Sequence, residues 1–437
     1  MDQSLRSEEE KGWLPPKGYR NGVEFVKAQI DLALSQKQRE KALEIVPQQD
    51  FSGHGTAVAA IAASSNKEPL LTGVAPGCEL IIVKLKATQE SGFPATTELM
   101  RAVTYVIGKA IELNRPLVIN LSFGNTYGSH DGSSLLERFL DNASEIGKTC
   151  LCVGCGNEGS SGGHFVGNVE EDELIELAVA EREPTVNVQF WKSYEDKFNI
   201  ILVAPDGQEF LVENTFQPTK KEVVFQQTKI LIYAGVPTPY SSKQEIFFVF
   251  LPLEDYINSG IWSWKIVKEK ITDGNFQMYL PSGKQKNPGT RFLRANPNLT
   301  MTIPATSRRV ISVAAYNDNI QAYADFSGRG RQMGGYTYLA GEGNKPDLAA
   351  PGVGIMAARA GGGAESYTGT SFSTPLVAGS VAVLMEWGII RENDIYLYGE
   401  KVKAYLRRGA KEIRGIGEYP DNKVGWGALC LEESFPV

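Results

Sequence analysis

The sequence predicts an α/β fold, a parallel sheet with helices on both faces, interrupted by an inserted antiparallel β domain of jelly-roll type. Three observations predict it. Short apolar strands at residues 117–121, 150–153 and 310–314 alternate with helical stretches at 97–112 and 400–408, the pattern of a sheet covered on both sides. Residues 169–296 have a different texture, in which Ile175, Leu177 and Val179, then Val186, Val188 and Phe190, then Trp262, Trp264 and Ile266 alternate with other residues. Turn signals such as Pro205-Asp206-Gly207 separate these runs, as in an antiparallel sandwich. Finally, 437 residues that are 42% hydrophobic suffice for more than one domain and a sizeable core.

The elements follow in order. Residues 1–49 open on Met1-Asp2-Gln3-Ser4 and a charged run, Glu8-Glu9-Glu10-Lys11. Val26, Ile30, Ala33 and Leu34 then mark a helix, with Asp31 inside it. Residues 53–59, Gly53-His54-Gly55-Thr56-Ala57-Val58-Ala59, head a helix of small residues running through Ala63. An imidazole between two glycines is presented to a cleft rather than packed in a core. The strand at 117–121 ends in Asn120-Leu121-Ser122-Phe123-Gly124. The next strand runs into Cys152-Val153-Gly154-Cys155-Gly156-Asn157-Glu158-Gly159. A side-chain amide placed there can donate to an oxyanion; taken alone, Asn157 also fits a turn.

Residues 369–375, Gly369-Thr370-Ser371-Phe372-Ser373-Thr374-Pro375, read as a nucleophilic serine at the mouth of a helix whose body is residues 376–384. Pro375 suits the first helical turn, where its missing N–H costs nothing. Backbone N–H groups and the positive end of the helix dipole favour a developing oxyanion beside Ser371. By itself the heptapeptide also fits a capped core helix.

His54, Asn157 and Ser371, in that order, together resemble the subtilases, the subtilisin-like serine endopeptidases. Residues 53–56 resemble the family's histidine motif. Val74-Ala75-Pro76-Gly77 and the strand at 80–85 resemble the next segment, residues 120–124 the strand and turn beside the first specificity pocket, and residues 154–159 the oxyanion motif. Lys345-Pro346-Asp347-Leu348-Ala349-Ala350-Pro351-Gly352 resembles the segment before the serine. The resemblance spans about residues 50–168 and 297–437. It implies a domain in two parts, 1–168 and 297–437, around an insertion at 169–296, and the related bacterial germination (Csp-type) proteases are similar in carrying such an insertion. It implies acyl transfer to water, with Ser371 as nucleophile, His54 as base and Asn157 as oxyanion donor. Leu121, Ser122, Phe123, Gly124, Gly154, Cys155 and Gly156 are expected to flank the first pocket. The substrate is expected to be a protein or peptide, with no cofactor and no metal ligand set.

One family feature is not matched. The carboxylate that orients the imidazole belongs to an Asp-Ser/Thr-Gly motif ending an early apolar strand, and residues 1–49 hold neither. Asp50, four residues before His54, is expected to point elsewhere. The expectations are a start downstream of the true one, a truncated gene, or a pseudoprotease acting as a binding or signalling module. The residues after Met1 resemble those following the aspartate strand in the Csp-type branch. Loss of that carboxylate costs triads of this kind about 10⁴-fold in turnover.

Composition bounds the rest. A net charge of −7 with dispersed Lys and Arg argues against a nucleic-acid surface. The cluster Lys401, Lys403, Arg407, Arg408 and Lys411 reads as a solvated helix face. Five cysteines without metal-site spacing read as buried free thiols, Cys150 and Cys152 on one face of a strand. They suit a reducing compartment, so the protein is expected to be cytoplasmic, or spore-associated as the Csp-type resemblance implies, with no membrane span. His130 is expected to be exposed in a polar stretch, and His164 to approach the cleft.

Overall fold

The computed structural model describes residues 1–86, 94–171, 174–213, 215, 217–239, 241–331 and 344–436. Its central sheet is parallel: Leu117–Leu121 pairs with Thr149–Gly154, which pairs with Ile311–Asn317, which pairs with Leu348–Pro351. Alternation along Thr149–Gly154 shows why both faces are covered. Cys150 and Cys152 enter one cluster with Val377, Val381, Leu384, Val402 and Leu406 of the helices Thr370–Met385 and Gly399–Gly409. Leu151 and Val153 point oppositely, to Leu99, Val103, Leu136 and Leu140 of Thr96–Glu112 and Leu135–Ser144. A strand apolar on both faces is the signature of a parallel sheet between helical layers.

The helix His54–Ala63 packs against Thr370–Met385 through Ala57, Ile61, Phe372 and Leu376. The approach is close because Gly379 carries no side chain: a Cβ there would lie 2.6 Å from that of Val74 and 3.0 Å from the Ala62 carbonyl. The far end of His54–Ala63 is closed by residues 73–75, whose N–H groups reach Ser64, Ile61 and Ala62.

The insertion is a two-sheet antiparallel sandwich. One sheet runs His164–Asn168, Asn275–Tyr279, Val186–Ser193, Lys243–Pro252, Thr228–Ala234, Thr219–Phe225. The other runs Arg291–Phe292, Leu174–Val179, Gly260–Lys270, Lys197–Val203, Glu209–Val212. The alternating residues of the sequence supply its core, with Val188, Phe190, Trp262 and Trp264 fully buried. Phe250 meets Trp262 edge-on at 5.1 Å and Phe248 meets Trp264 at 5.7 Å, the geometry that ring quadrupoles favour.

Five expectations change: residues 80–85 form no strand, only a bridge from Lys84 to Asp2, and not all thiols are buried, since Cys78 is exposed and Cys430 half-buried. His130 is 7% exposed rather than solvated; its ring stacks on Tyr279 at 3.9 Å, and its two nitrogens face the carbonyls of Met301 and Thr126. The polar stretch around it is the seat on which the sandwich rests. Gln189, on a sandwich strand, bonds the Thr126 carbonyl and the Gly128 N–H, and Thr126 Oγ1 donates to Leu280. His164 stacks on Tyr279 at 4.5 Å, in that seam. Finally, the Gly399–Gly409 helix is not a solvated basic face: Lys403 is 2% exposed and donates to the carbonyls of Arg308 and Arg309, and Arg407 pairs with the buried Asp347.

Candidate active site

Ser371 stands in the first turn of Thr370–Met385, whose cap is Gly369 at φ 146°, ψ 160°. That backbone favours glycine, and a Cβ there would also lie 3.3 Å from Asn157 Nδ2. The helix starts earlier than Pro375 suggests, so the proline is a helix-interior residue. Its missing N–H would have served the carbonyl of Ser371, four residues back. That carbonyl instead accepts the hydroxyl of Ser122 at 2.8 Å. Reciprocally, Ser371 Oγ donates to the Ser122 carbonyl at 3.0 Å. Asn120 Nδ2 donates to Ser122 Oγ at 2.8 Å. The strand end at 120–122 and the serine turn are thus bonded directly.

Asn157 is oriented by the residue before Ser371. Its Oδ1 accepts the N–H of Thr370 at 3.0 Å and the Thr370 hydroxyl at 3.2 Å. Thr370 Oγ1 also accepts the Gly156 N–H at 3.1 Å. Gly154 permits this approach, since a Cβ there would lie 2.8 Å from Thr374 Oγ1. Cys155, between these glycines, is fully buried, and burial raises its thiol well above the ordinary range.

His54 opens its helix after Gly53, whose φ is 73°. Its ring lies 5.5 Å from that of Phe372, the neighbour of Ser371. Phe372 in turn touches Tyr367 at 4.9 Å. Asp50 does the work of a helix cap. Its Oδ1 accepts from the N–H groups of Ser52 and Gly53, and its Oδ2 from the N–H and hydroxyl of Thr56, both at 2.8 Å. Burial opposes its ionisation, but these bonds outweigh it and hold the carboxyl below its usual range. Asp2, unlike the exposed Asp50, is buried, bonded to Ser4 and Gln48. The structure therefore brings His54, Asn157, Ser371, residues 121–124 and residues 154–156 to one end of the sheet.

Behind them sits Asp347, fully buried, where Lys345 and Arg407 pair with it and Ser312 donates to it. Burial alone would raise its pKa, but Lys345, Lys403 and Arg407 drive it far below the carboxylate range. The sequence showed Asp347 in its motif, but not the cations that neutralise it.

The family model of the subtilases matches residues 18–182 and 272–427, on both sides of the insertion's centre. This chain is a member of the subtilase family. The CspB protease of Clostridium perfringens, a solved structure, is 35% identical to this subtilase, with a TM-score of 0.85 over 94% of this chain and 85% of that one. The serine protease AprX of Bacillus subtilis is 30% identical over 157 residues, 31% of this chain and 32% of its own. The subtilisin-like protease SBT6.1 of Arabidopsis thaliana is 34% identical over 142 residues, 32% of this chain and 13% of its own. This subtilase thus aligns with a third or less of the length of those two curated relatives. Membership supports a serine peptidase acting on peptide or protein substrates.

Proposed function

We propose that this subtilase hydrolyses peptide bonds through a Ser371 acyl-enzyme. Ser371 Oγ attacks the scissile carbonyl while His54 takes its proton and returns it to the leaving amine. The N–H of Ser371, in a helical turn without intrahelical acceptors, and the amide of Asn157 hold the oxyanion. The observation that carries the reading is the clamp of Asn157 Oδ1 by Thr370. It supports an orientation in which the amide nitrogen donates beside the serine. Substrate would lie along residues 121–124 and 154–156. All five cysteines are free thiols, which supports a reducing, cytoplasmic setting; a spore-associated one rests on the Csp-type resemblance.

A fluorophosphonate probe tests the proposal. Labelling should map to Ser371, vanish in Ser371→Ala, and accompany cleavage of a peptide library. An unlabelled, folded protein would refute it. A second reading, a cleft that binds peptide without cutting it, is favoured by Asp50, the acidic residue nearest before His54, spending both oxygens on Ser52, Gly53 and Thr56. It expects peptide binding with no labelling.

A further inference from the structure

The outward face of the sandwich carries a carboxylate that nothing neutralises. Along Lys243–Pro252, the residues Gln244, Ile246, Phe248 and Phe250 are buried, so Glu245 and Phe247 face outward. On one side Trp191 stands in register with Glu245, at the spacing of about 4.5–5.5 Å between Cβ atoms that facing residues keep. Its indole N–H donates to Gln189 Oε1 at 3.4 Å, which orients the ring. On the other side Gly235 donates its N–H to the Glu245 carbonyl at 3.0 Å. Gly235 is exposed, and a Cβ there would meet only that carbonyl, at 3.8 Å. A notch thus lies open above Glu245, walled by Trp191 and unfilled at Gly235. Among the described residues, the half-buried Glu245 side chain has no hydrogen bond or ion pair. Burial alone pushes its pKa up to about 7. The nearby Lys243 acts instead on Asp131, whose carboxyl it helps to hold ionised.

A carboxyl held partly out of water without a partner is costly, and a cation removes the cost. An indole beside it favours a cation again, through the ring face and by packing on an aliphatic stem. The same face already holds one such contact, Lys220 Nζ lying 5.7 Å over the ring of Tyr233, which stands in register with Phe247. We propose that the notch between Trp191, Glu245 and Gly235 is an exosite that takes a lysine or arginine side chain of a bound polypeptide. The ligand is a polypeptide because this face runs on to the wall of the peptide cleft. The ring of Phe247 lies 6.3 Å from that of Tyr127, and Asn187 Nδ2 donates to the Tyr127 hydroxyl at 3.2 Å. Tyr127 follows residues 121–124 directly. The exosite lies outside the residues of the acyl-enzyme reading and does not depend on it.

The test watches Trp191. The full-length Ser371→Ala protein, in which peptides stay whole, is prepared with isotope-labelled tryptophan. The indole N–H resonance of Trp191 is identified by its loss in Trp191→Phe. Acetylated pentapeptide amides with a central Lys, Arg, norleucine or Glu are then added. The Lys and Arg peptides should shift the resonance saturably and bind about tenfold more tightly than the norleucine peptide, with the Glu peptide weakest. Glu245→Gln removes the charge and keeps the shape. Gly235→Leu fills the notch and leaves the carboxylate. Each should weaken the Lys peptide about tenfold at unaltered melting temperature. Equal binding of the Lys and norleucine peptides, undiminished Lys binding in both variants, or no shift with any peptide overturns the exosite. A shift with spermidine but none with the Lys peptide overturns the polypeptide assignment. Fluorophosphonate labelling of Ser371 in the wild type bears on catalysis alone, so the two readings fail separately.

Discussion

At the scale of single residues, the site depends on who orients whom. Thr370 holds the Asn157 carbonyl oxygen, and on the proposed reading the donor end of that amide meets the reacting oxygen. Asn157→Ala is expected to lower kcat by about 10²–10³-fold with little change in KM, because that donor acts on charge present only in the transition state; steady-state kinetics read the split. Thr370→Val should lower kcat as well, through a misaligned Asn157. Asp50 separates from this group. Asp50→Ala should cost about 0.5–2 kcal/mol of stability as a lost cap, seen in denaturant melts. Since Asp50 is committed to Thr56, Gly53 and Ser52, the kcat/KM pH profile should keep its acidic limb. At this scale the sequence was legible in placement: a histidine that opens one helix and a serine in the first turn of another. Glu245 was illegible, because its neighbours Trp191 and Gly235 come from other stretches of the chain. Pro375 misled for a local reason: its lost hydrogen bond is replaced from Ser122, which only the fold brings near.

Among the elements, the seam between sandwich and sheet explains the misreading of His130. Thr126, Gly128 and His130 meet Gln189, Tyr279 and Leu280 rather than water, Ser129 and Ser133 bond Asp131, and Ser134 caps the next helix. Burial pushes the imidazole of His130 down to about 4 and that of His164 to about 3, with the neighbouring His130 adding to the latter. Both are therefore neutral in the folded protein at pH 7. In the unfolded chain each titrates near 6.5. Their contribution to stability is complete above that value. It is lost as pH falls through 6.5 toward 4, where the unfolded state takes up protons that the native state refuses. The melting temperature of the wild type should fall more steeply between pH 7 and 4.5 than that of His130→Gln, followed by circular dichroism. The sandwich strands themselves were legible, since period-two alternation survives burial of one face. The Gly399–Gly409 helix was not, because Lys403 and Arg407 serve a buried carboxylate in another segment.

Across the whole molecule, the sheet and the sandwich have separate hydrophobic cores. Trp262→Ala, which empties the sandwich core, should cost about 3–5 kcal/mol. The two bodies nevertheless share polar ties at the active end. Glu158, the residue after Asn157, accepts the Gly283 N–H at 3.0 Å, and Lys286 Nζ donates to the Ser161 carbonyl at 3.3 Å. The loop that carries the amide is anchored on the sandwich as well as on the sheet. Loosening the sandwich by Trp262→Ala should therefore depress kcat before unfolding sets in, which activity measured below the thermal transition would show. Overall architecture was the most legible level, because ordered motifs and a change of periodicity both survive without coordinates.

That anchoring makes the inserted module a load path rather than an ornament. Fraying of the sandwich's aromatic core by heat or denaturant would be transmitted through Gly283 and Lys286 to the turn bearing the amide. Calorimetry should accordingly record one endotherm, the two bodies melting as a single cooperative unit.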